Sequence, residues 1–251
     1  DSNTNFLWDS AKVIREIRVK RFDAVIDCEL FARVTGLFSF FSGAPIKAGF
    51  HGYTQEGLYR GDFINRPVPY NPYVHISKQF LNLACALENN TVPGAKHMIP
   101  TGNIDVPKTQ FSTKEVEQFS DRLFRDFPQI QDRPLVLVYP SGGMLPVRAW
   151  PLENYCHLSK ALIGNGISVG IIGLDSDSKL GQEISAYTSS EYCYNLTGYT
   201  ETIQKLLLLI NRADLLITND GGPGQFAALT ETPAIIFFGP ESPQLYAPLS
   251  Q

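Results

Sequence analysis

Three short stretches gather residue types that can serve a ligand, two of them an anion, and each follows an apolar run. The first, Tyr139-Pro-Ser-Gly-Gly-Met-Leu-Pro-Val-Arg-Ala-Trp-Pro151, joins paired glycines to an arginine. Gly142 and Gly143 let the backbone approach an anion closely, Arg148 brings a permanent charge with a fork of donors, and Pro151 suits the first turn of a helix. Together they can hold a diphosphate, although the same residues also suit a glycine turn with a surface arginine. The second, Thr218-Asn-Asp-Gly-Gly-Pro-Gly-Gln-Phe226, sets glycines between a strand and a helix start, with Pro223 near the first turn. Such a start offers free N–H groups and about half a positive charge, for which phosphate is a natural guest. Asp220 would repel a phosphate it faced, so it is expected to accept from backbone amides or a sugar hydroxyl; as a plain N-cap over a tight turn it would need no ligand. The third, Phe238-Gly-Pro-Glu-Ser-Pro243, leaves the last strand sharply, and Glu241 and Ser242 can serve a ligand hydroxyl or merely form the turn.

Other candidate chemistry is thinner. Asp175-Ser-Asp177 has the Asp-x-Asp form that holds Mg²⁺ or Mn²⁺ against a sugar-nucleotide diphosphate. It follows Ile171-Ile-Gly-Leu174 directly and precedes a helix, where Asp and Ser act as N-caps, so the site is read without a metal or other cofactor. His51, His75, His97 and His157 share no ligand spacing. Cys28, Cys85, Cys156 and Cys193 form no CxxC pair, which sets aside zinc ribbons, thioredoxin chemistry and a disulfide framework and fits reduced thiols in a cytosol. The lack of GxSxG, of a Walker lysine loop and of GxGxxG counts against a serine hydrolase, a P-loop nucleotidase and a dinucleotide oxidoreductase. Asn89-Asn-Thr91 and Asn195-Leu-Thr197 match a glycosylation sequon without a secretory context.

The loops need elements to carry them, and the apolar pattern supplies these. From Pro134 onward strand and helix signals alternate: Leu135 to Tyr139, a helix from Pro151 to Gly164, Ser168 to Ile172, a helix near Lys179 to Ser189, and a helix from Thr202 to Asn211. Leu215 to Thr218, a short helix from Pro223 to Thr230, and Ala234 to Phe238 complete the series. Runs rich in Val, Ile and Leu separated by helices predict a parallel sheet covered on both faces, with ligands beyond the carboxyl ends of its strands. Ser112 and Glu115 form a capping-box pattern that opens a preceding helix to Phe127. Upstream, a helix from Asp9 to Arg21 runs into a strand at Asp23 to Asp27. A helix from Leu30 to Phe41 and a strand from Ile46 to Phe50 follow. Gly52 to Tyr73 reads as an irregular, ligand-facing loop before a helix from His75 to Leu87. The predicted organisation is a partial α/β domain over 1–88, a polar linker over 89–110 punctuated by Pro93, Pro100 and Pro107, and a second α/β domain over 111–251.

Composition agrees. At 251 residues, roughly 150 per domain makes two domains a natural division. A 43% hydrophobic content can bury a core, and 18% charged residues argue against disorder. A net charge of −4 offers no overall field for a polyanion, so nucleic acid is not an expected partner and any bound anion must be held by local groups. The longest apolar runs fall far short of the ~20 residues that span a bilayer. The chain begins with Asp1 and shows no basic and apolar leader, which reads as a piece of a longer cytosolic chain cut at one or both ends.

Taken in order, the motifs resemble glycosyltransferase family 9, the lipopolysaccharide heptosyltransferases, most strongly over Pro134 to Pro248. Tyr139-Pro-Ser-Gly-Gly143 with Arg148-Ala-Trp-Pro151 is similar to the family's first donor loop and its basic-x-Trp-Pro signature. Asn195-Leu-Thr-Gly-Tyr-Thr200 resembles its Leu-x-Gly-x-Thr segment, Asn219-Asp-Gly-Gly-Pro223 its Asp-Thr-Gly loop, and Phe238-Gly-Pro240 its Phe-Gly-Pro ending. Arg21 to Asp27 and Ser42 to Phe50 resemble the second half of the family's acceptor domain. The family's opening strand and its glycine-aspartate loop, which carries the residue assigned as general base, have no counterpart here. Where members commonly have Asp-Thr-Gly-x-x-His, this chain has Asp220-Gly-Gly-Pro-Gly-Gln225, losing a hydroxyl and an imidazole, so the donor sugar or base is expected to differ from ADP-heptose.

The resemblance implies a GT-B-type fold of two Rossmann-like doubly wound domains facing a cleft, the first incomplete. It implies inverting, metal-independent sugar transfer from a nucleotide-diphosphate sugar to a lipopolysaccharide or other saccharide acceptor, in a bacterial cytoplasm with peripheral contact at the inner membrane. Arg148 would be the catalytic group, stabilising the leaving diphosphate, and Ser141, Gly142, Gly143, Arg148, Thr200, Asp220, Gly221, Gly222 and Gln225 would bind the donor. Two alternatives stay open: a noncatalytic nucleotide-sugar binder, motivated by Gly221 and Gln225, and a sugar-nucleotide epimerase of the same architecture.

Overall fold

The computed structural model describes residues 2–30, 32–51, 62–89, 104–143 and 145–249. Positions 52–61 of the irregular loop and 90–103 of the linker, with His97, lie outside the described residues. The chain divides into two compact units, Asp1–Asn103 and Ile104–Gln251. The last linker residues belong to the second: the Thr109 N–H donates to the Leu229 carbonyl at 2.8 Å.

In the first unit, α1 (Ser2–Lys20), β1 (Ala24–Asp27), α2 (Val34–Phe41), β2 (Ile46–His51), β3 (Arg66–Pro69) and α3 (Ile76–Glu88) follow in order. The strands form a parallel sheet, β1-β2-β3, with Phe50, Val68, Tyr70, Leu83 and Ala86 as its buried core. Two expectations are corrected here. The helix predicted from Leu30 begins only at Val34, because the Glu29 carboxylate accepts from the N–H groups of Leu30 and Ala32 and draws that backbone away from helical bonding. The segment read as irregular up to Tyr73 contains β3, paired to β2 with Gly49 opposite Pro67. Pro67 and Pro69 obscure its pattern, and an edge position tolerates their missing donors.

The second unit comprises α4 (Thr113–Asp126), β4 (Leu135–Tyr139), α5 (Leu152–Gly164), β5 (Ser168–Ile171), α6 (Ser178–Thr188), β6 (Cys193–Asn195), α7 (Ile203–Arg212), β7 (Leu215–Asn219), α8 (Gly222–Ala227), β8 (Ala234–Phe237) and α9 (Pro243–Tyr246). Its sheet is parallel, in the order β6-β5-β4-β7-β8. Alternation along β4 explains the two covering layers. Leu135, Leu137 and Tyr139 join Phe119, Leu123, Leu209 and Ala227 on one face, while Val136 and Val138 join Tyr155, Cys156 and Ile184 on the other. This is the doubly wound arrangement predicted from the alternating signals. The strand β6 was not predicted, since three residues are too few to show a period. The capping box of α4 is formed: the Glu115 N–H donates to Ser112 Oγ at 3.3 Å and the Ser112 N–H to Glu115 Oε2 at 2.9 Å. Among the described residues no helix is long and apolar enough to cross a membrane.

Candidate functional site

The loops singled out in the sequence leave β4, β7 and β8, neighbouring strands of one sheet, so the fold gathers them at its carboxyl edge. In the first loop, a Cβ on Gly142 would lie 2.8 Å from the Leu145 carbonyl oxygen, and Gly143 has φ +59°. Both glycines are required by the turn itself. The Ser141 hydroxyl is buried and accepts from the Gly143 N–H at 3.1 Å, which tightens the same turn. The turn leads into a single 3-10 turn, Pro146–Arg148, from which the guanidinium projects.

Arg148 meets the other two loops. Its Nη1 lies 3.8 Å from Asp220 Oδ2 and its Nη2 3.6 Å from Glu241 Oε1. These are ion-pair separations beyond hydrogen-bond length, and Nε is buried with no hydrogen-bond partner among the described residues. The fork is therefore held in place by charge with donors to spare. Asp220 was expected to accept from backbone amides or a sugar hydroxyl; the structure sets its carboxylate, 8% exposed, facing Arg148. Glu241 likewise does more than form a turn.

A cavity of about 370 Å³ opens at the ends of β4 and β5, lined by Tyr139, Leu174, Thr200, Ile203, Gly222 and Phe226 among others; Arg148, Asp220 and Glu241 are not part of its lining. It brings Thr200 and Gly222 together from distant parts of the sequence, with walls that are mostly apolar. A Cβ on Gly222 would meet only Phe226, at 3.7 Å, so that backbone is open to approach. The helix that begins there, α8, is shorter than the span from Pro223 to Thr230 predicted for it. At six residues its contribution is unpaired N–H groups more than a full macrodipole. Gln225 is turned elsewhere: its Nε2 donates to the Tyr246 carbonyl at 2.7 Å, tying α8 to α9. Asp177 accepts from the Leu174 N–H at 2.9 Å as a local cap.

One residue was missed as an individual. Asn219, fully buried at the end of β7, accepts on Oδ1 from the Trp150 N–H at 2.9 Å and from the Tyr155 hydroxyl at 2.8 Å. Its Nδ2 donates to the carbonyls of Pro140 and Ser141 at 3.1 and 3.2 Å. Burial pushes the Tyr155 hydroxyl well above its ordinary pKa, which keeps it a donor. Trp150 packs on Tyr155 and Phe237 with ring centroids 5.2 and 4.7 Å away. An amide closing a strand of apolar residues was the available signal, because Asn is a poor strand former and a buried amide must be paired.

Known proteins share this architecture. The model of glycosyltransferase family 9 (heptosyltransferase) matches residues 10–251. Lipopolysaccharide heptosyltransferase 2 of Salmonella typhimurium is 28% identical over 223 residues, covering 86% of this chain and 60% of that protein. The chain thus spans well under two thirds of that relative. The solved structure of E. coli ADP-heptose lps heptosyltransferase II superposes with a TM-score of 0.76 at 24% identity, over 98% of this chain and 71% of the other. An E. coli heptosyltransferase solved with ADP gives a TM-score of 0.63 at 17% identity, over 95% and 67%. These likenesses identify the fold as GT-B-type α/β with Rossmann-like domains. With residues 10–251 of this chain matched by the family model, the chain belongs to glycosyltransferase family 9, the heptosyltransferases.

Proposed function

We propose that the chain carries the donor-binding half of an inverting, metal-independent transferase that moves a heptose-like sugar from a nucleoside-diphosphate sugar to a hydroxyl of a lipopolysaccharide or related saccharide. The guanidinium of Arg148 and the N–H groups at Gly221 and Gly222 receive the diphosphate, within a loop shaped by Ser141, Gly142 and Gly143. The apolar cavity beside Thr200 takes the nucleoside, Asp220 orients the arginine, and Gln225 secures the helix behind. As the sugar leaves, negative charge grows on the diphosphate, and a preset cation there lowers the barrier without a metal ion. A glycolipid acceptor would require the enzyme to work at the cytoplasmic face of the inner membrane.

The observation that carries this reading is the Arg148 fork, held between Asp220 and Glu241 at 3.8 and 3.6 Å with donors unspent, at the edge of a parallel sheet where ligands bind. The test has two stages. Calorimetry should show ADP binding at least tenfold tighter than adenosine, the increment of about 1.4 kcal/mol that one charge-assisted contact readily supplies. Product analysis on the full-length protein, with a nucleotide heptose and an acceptor saccharide, should then show transfer. Equal affinity for ADP and adenosine refutes the diphosphate site, and binding without transfer assigns a noncatalytic binder.

A further inference from the structure

We propose that Asn219 is a positioning residue for the diphosphate site, one side chain that clamps both ends of the arginine-bearing loop and so sets where Arg148 stands. The inference rests on the donor reading above. Pro140 and Ser141 begin that loop and Trp150 ends it; the Asn219 carboxamide bonds to all three, and to Tyr155 behind them. Both donor hydrogens and both acceptor positions of the amide are used, which fixes its orientation, because the reverse placement of N and O would face donors with a donor and carbonyls with an acceptor.

Among the described residues, the other hydrogen bonds inside the loop are local. The Leu145 N–H donates to Gly142, the Arg148 N–H to Leu145 and the Ala149 N–H to Pro146, so they shape the turn without anchoring it to the sheet. Asn219 supplies an anchor from β7, and its chain neighbour Asp220 is the residue that faces the guanidinium. A single strand end therefore sets both the loop's seat and its counter-charge. A leucine, branched in the same way, would fill the space, but it would strand two carbonyls, an N–H and the Tyr155 hydroxyl.

The test is a double-mutant cycle on the full chain, with ADP and adenosine as probes. Asn219→Ala is expected to weaken ADP roughly tenfold while adenosine changes by less than about twofold, because misplacement affects only the anion contact. Arg148→Ala should weaken ADP by roughly 10- to 100-fold, and the double variant no further than Arg148→Ala alone. A residue that merely supports the fold would instead lower both ligands together and multiply with Arg148→Ala. Hydrogen exchange should show residues 140–150 losing protection in Asn219→Ala while β5 retains it. Unchanged protection of 140–150, or losses that multiply, overturns the inference. If Arg148→Ala weakens ADP and Asn219→Ala does not, only the positioning role falls. If the unsubstituted chain does not prefer ADP to adenosine, the donor reading falls and this inference with it. Should the alanine variant not fold, Asn219→Thr, whose hydroxyl can still serve one partner, is read in the same cycle with an intermediate loss expected.

Discussion

Arg148→Ala in the full-length protein should separate the guanidinium's chemistry from its place in the fold. Its side chain is 27% exposed, but Asp220 is only 8% exposed, so loss of the guanidinium leaves a buried carboxylate uncompensated and should cost the fold about 3 kcal/mol. For a unit of this size that corresponds to a fall of roughly 6–12 °C in Tm. Loss of a preset donor where charge develops also removes about 2.7–4 kcal/mol from the transition state, a 10²- to 10³-fold fall in kcat. Initial rates of nucleoside-diphosphate release give kcat, and calorimetric melting gives Tm. Arg148→Lys should fall between, since a lysine offers a point charge and no fork. A companion substitution, Asp220→Asn, guards against a simpler explanation. If Arg148 only neutralises the buried Asp220 carboxylate, Arg148→Ala with Asp220→Asn should regain activity; if it stabilises the leaving diphosphate, the double variant should stay as slow as Arg148→Ala. Unchanged kcat in the single variant, or recovery in the double, would refute the reasoning.

Two further predictions concern the scaffold. A Cβ on Gly181 would collide with Asn195 Oδ1, an atom already engaged by the Thr197 N–H at 3.2 Å and hydroxyl at 2.7 Å. Gly181→Ala should therefore cost about 1–3 kcal/mol by overpacking, measured by urea unfolding, whereas Gly164→Ala, with nothing within 4 Å of its Cβ, should be neutral or stabilising. Ser112→Ala should lower stability and change its pH dependence. The Ser112 hydroxyl, then its backbone N–H, holds the Glu115 carboxyl below its ordinary value. That contribution is complete above the ordinary carboxylate range and is lost as pH falls through the depressed value. Acid titration of the folded protein should show a shallower loss below the ordinary Glu range in the variant, and an unchanged curve would count against the cap.

Legibility in the sequence divides along range of interaction. The capping box at Ser112, the apolar run of β4 and the helix after Thr202 are legible because each is decided within a few residues, by period, cap and turn chemistry. The glycine-bearing loops at strand ends were legible for the same reason. The edge strands β3 and β6 were not, since a strand of three or four residues is defined by its partner and prolines mask the period.

Residue types and their spacing settled the alternating α/β pattern, the parallel sheet of the second unit and the glycine-bearing loops at the ends of its strands. Tertiary packing settled which of their side chains meet. Asp220 faces Arg148 because β4 and β7 lie side by side; Gln225 reaches the Tyr246 carbonyl; Asn219 closes on Pro140, Ser141, Trp150 and Tyr155 from at least 64 residues away. Local propensity acts over a turn or two of chain, whereas an ion pair or a buried amide finds its partners only after the sheet has brought distant segments within a few ångströms.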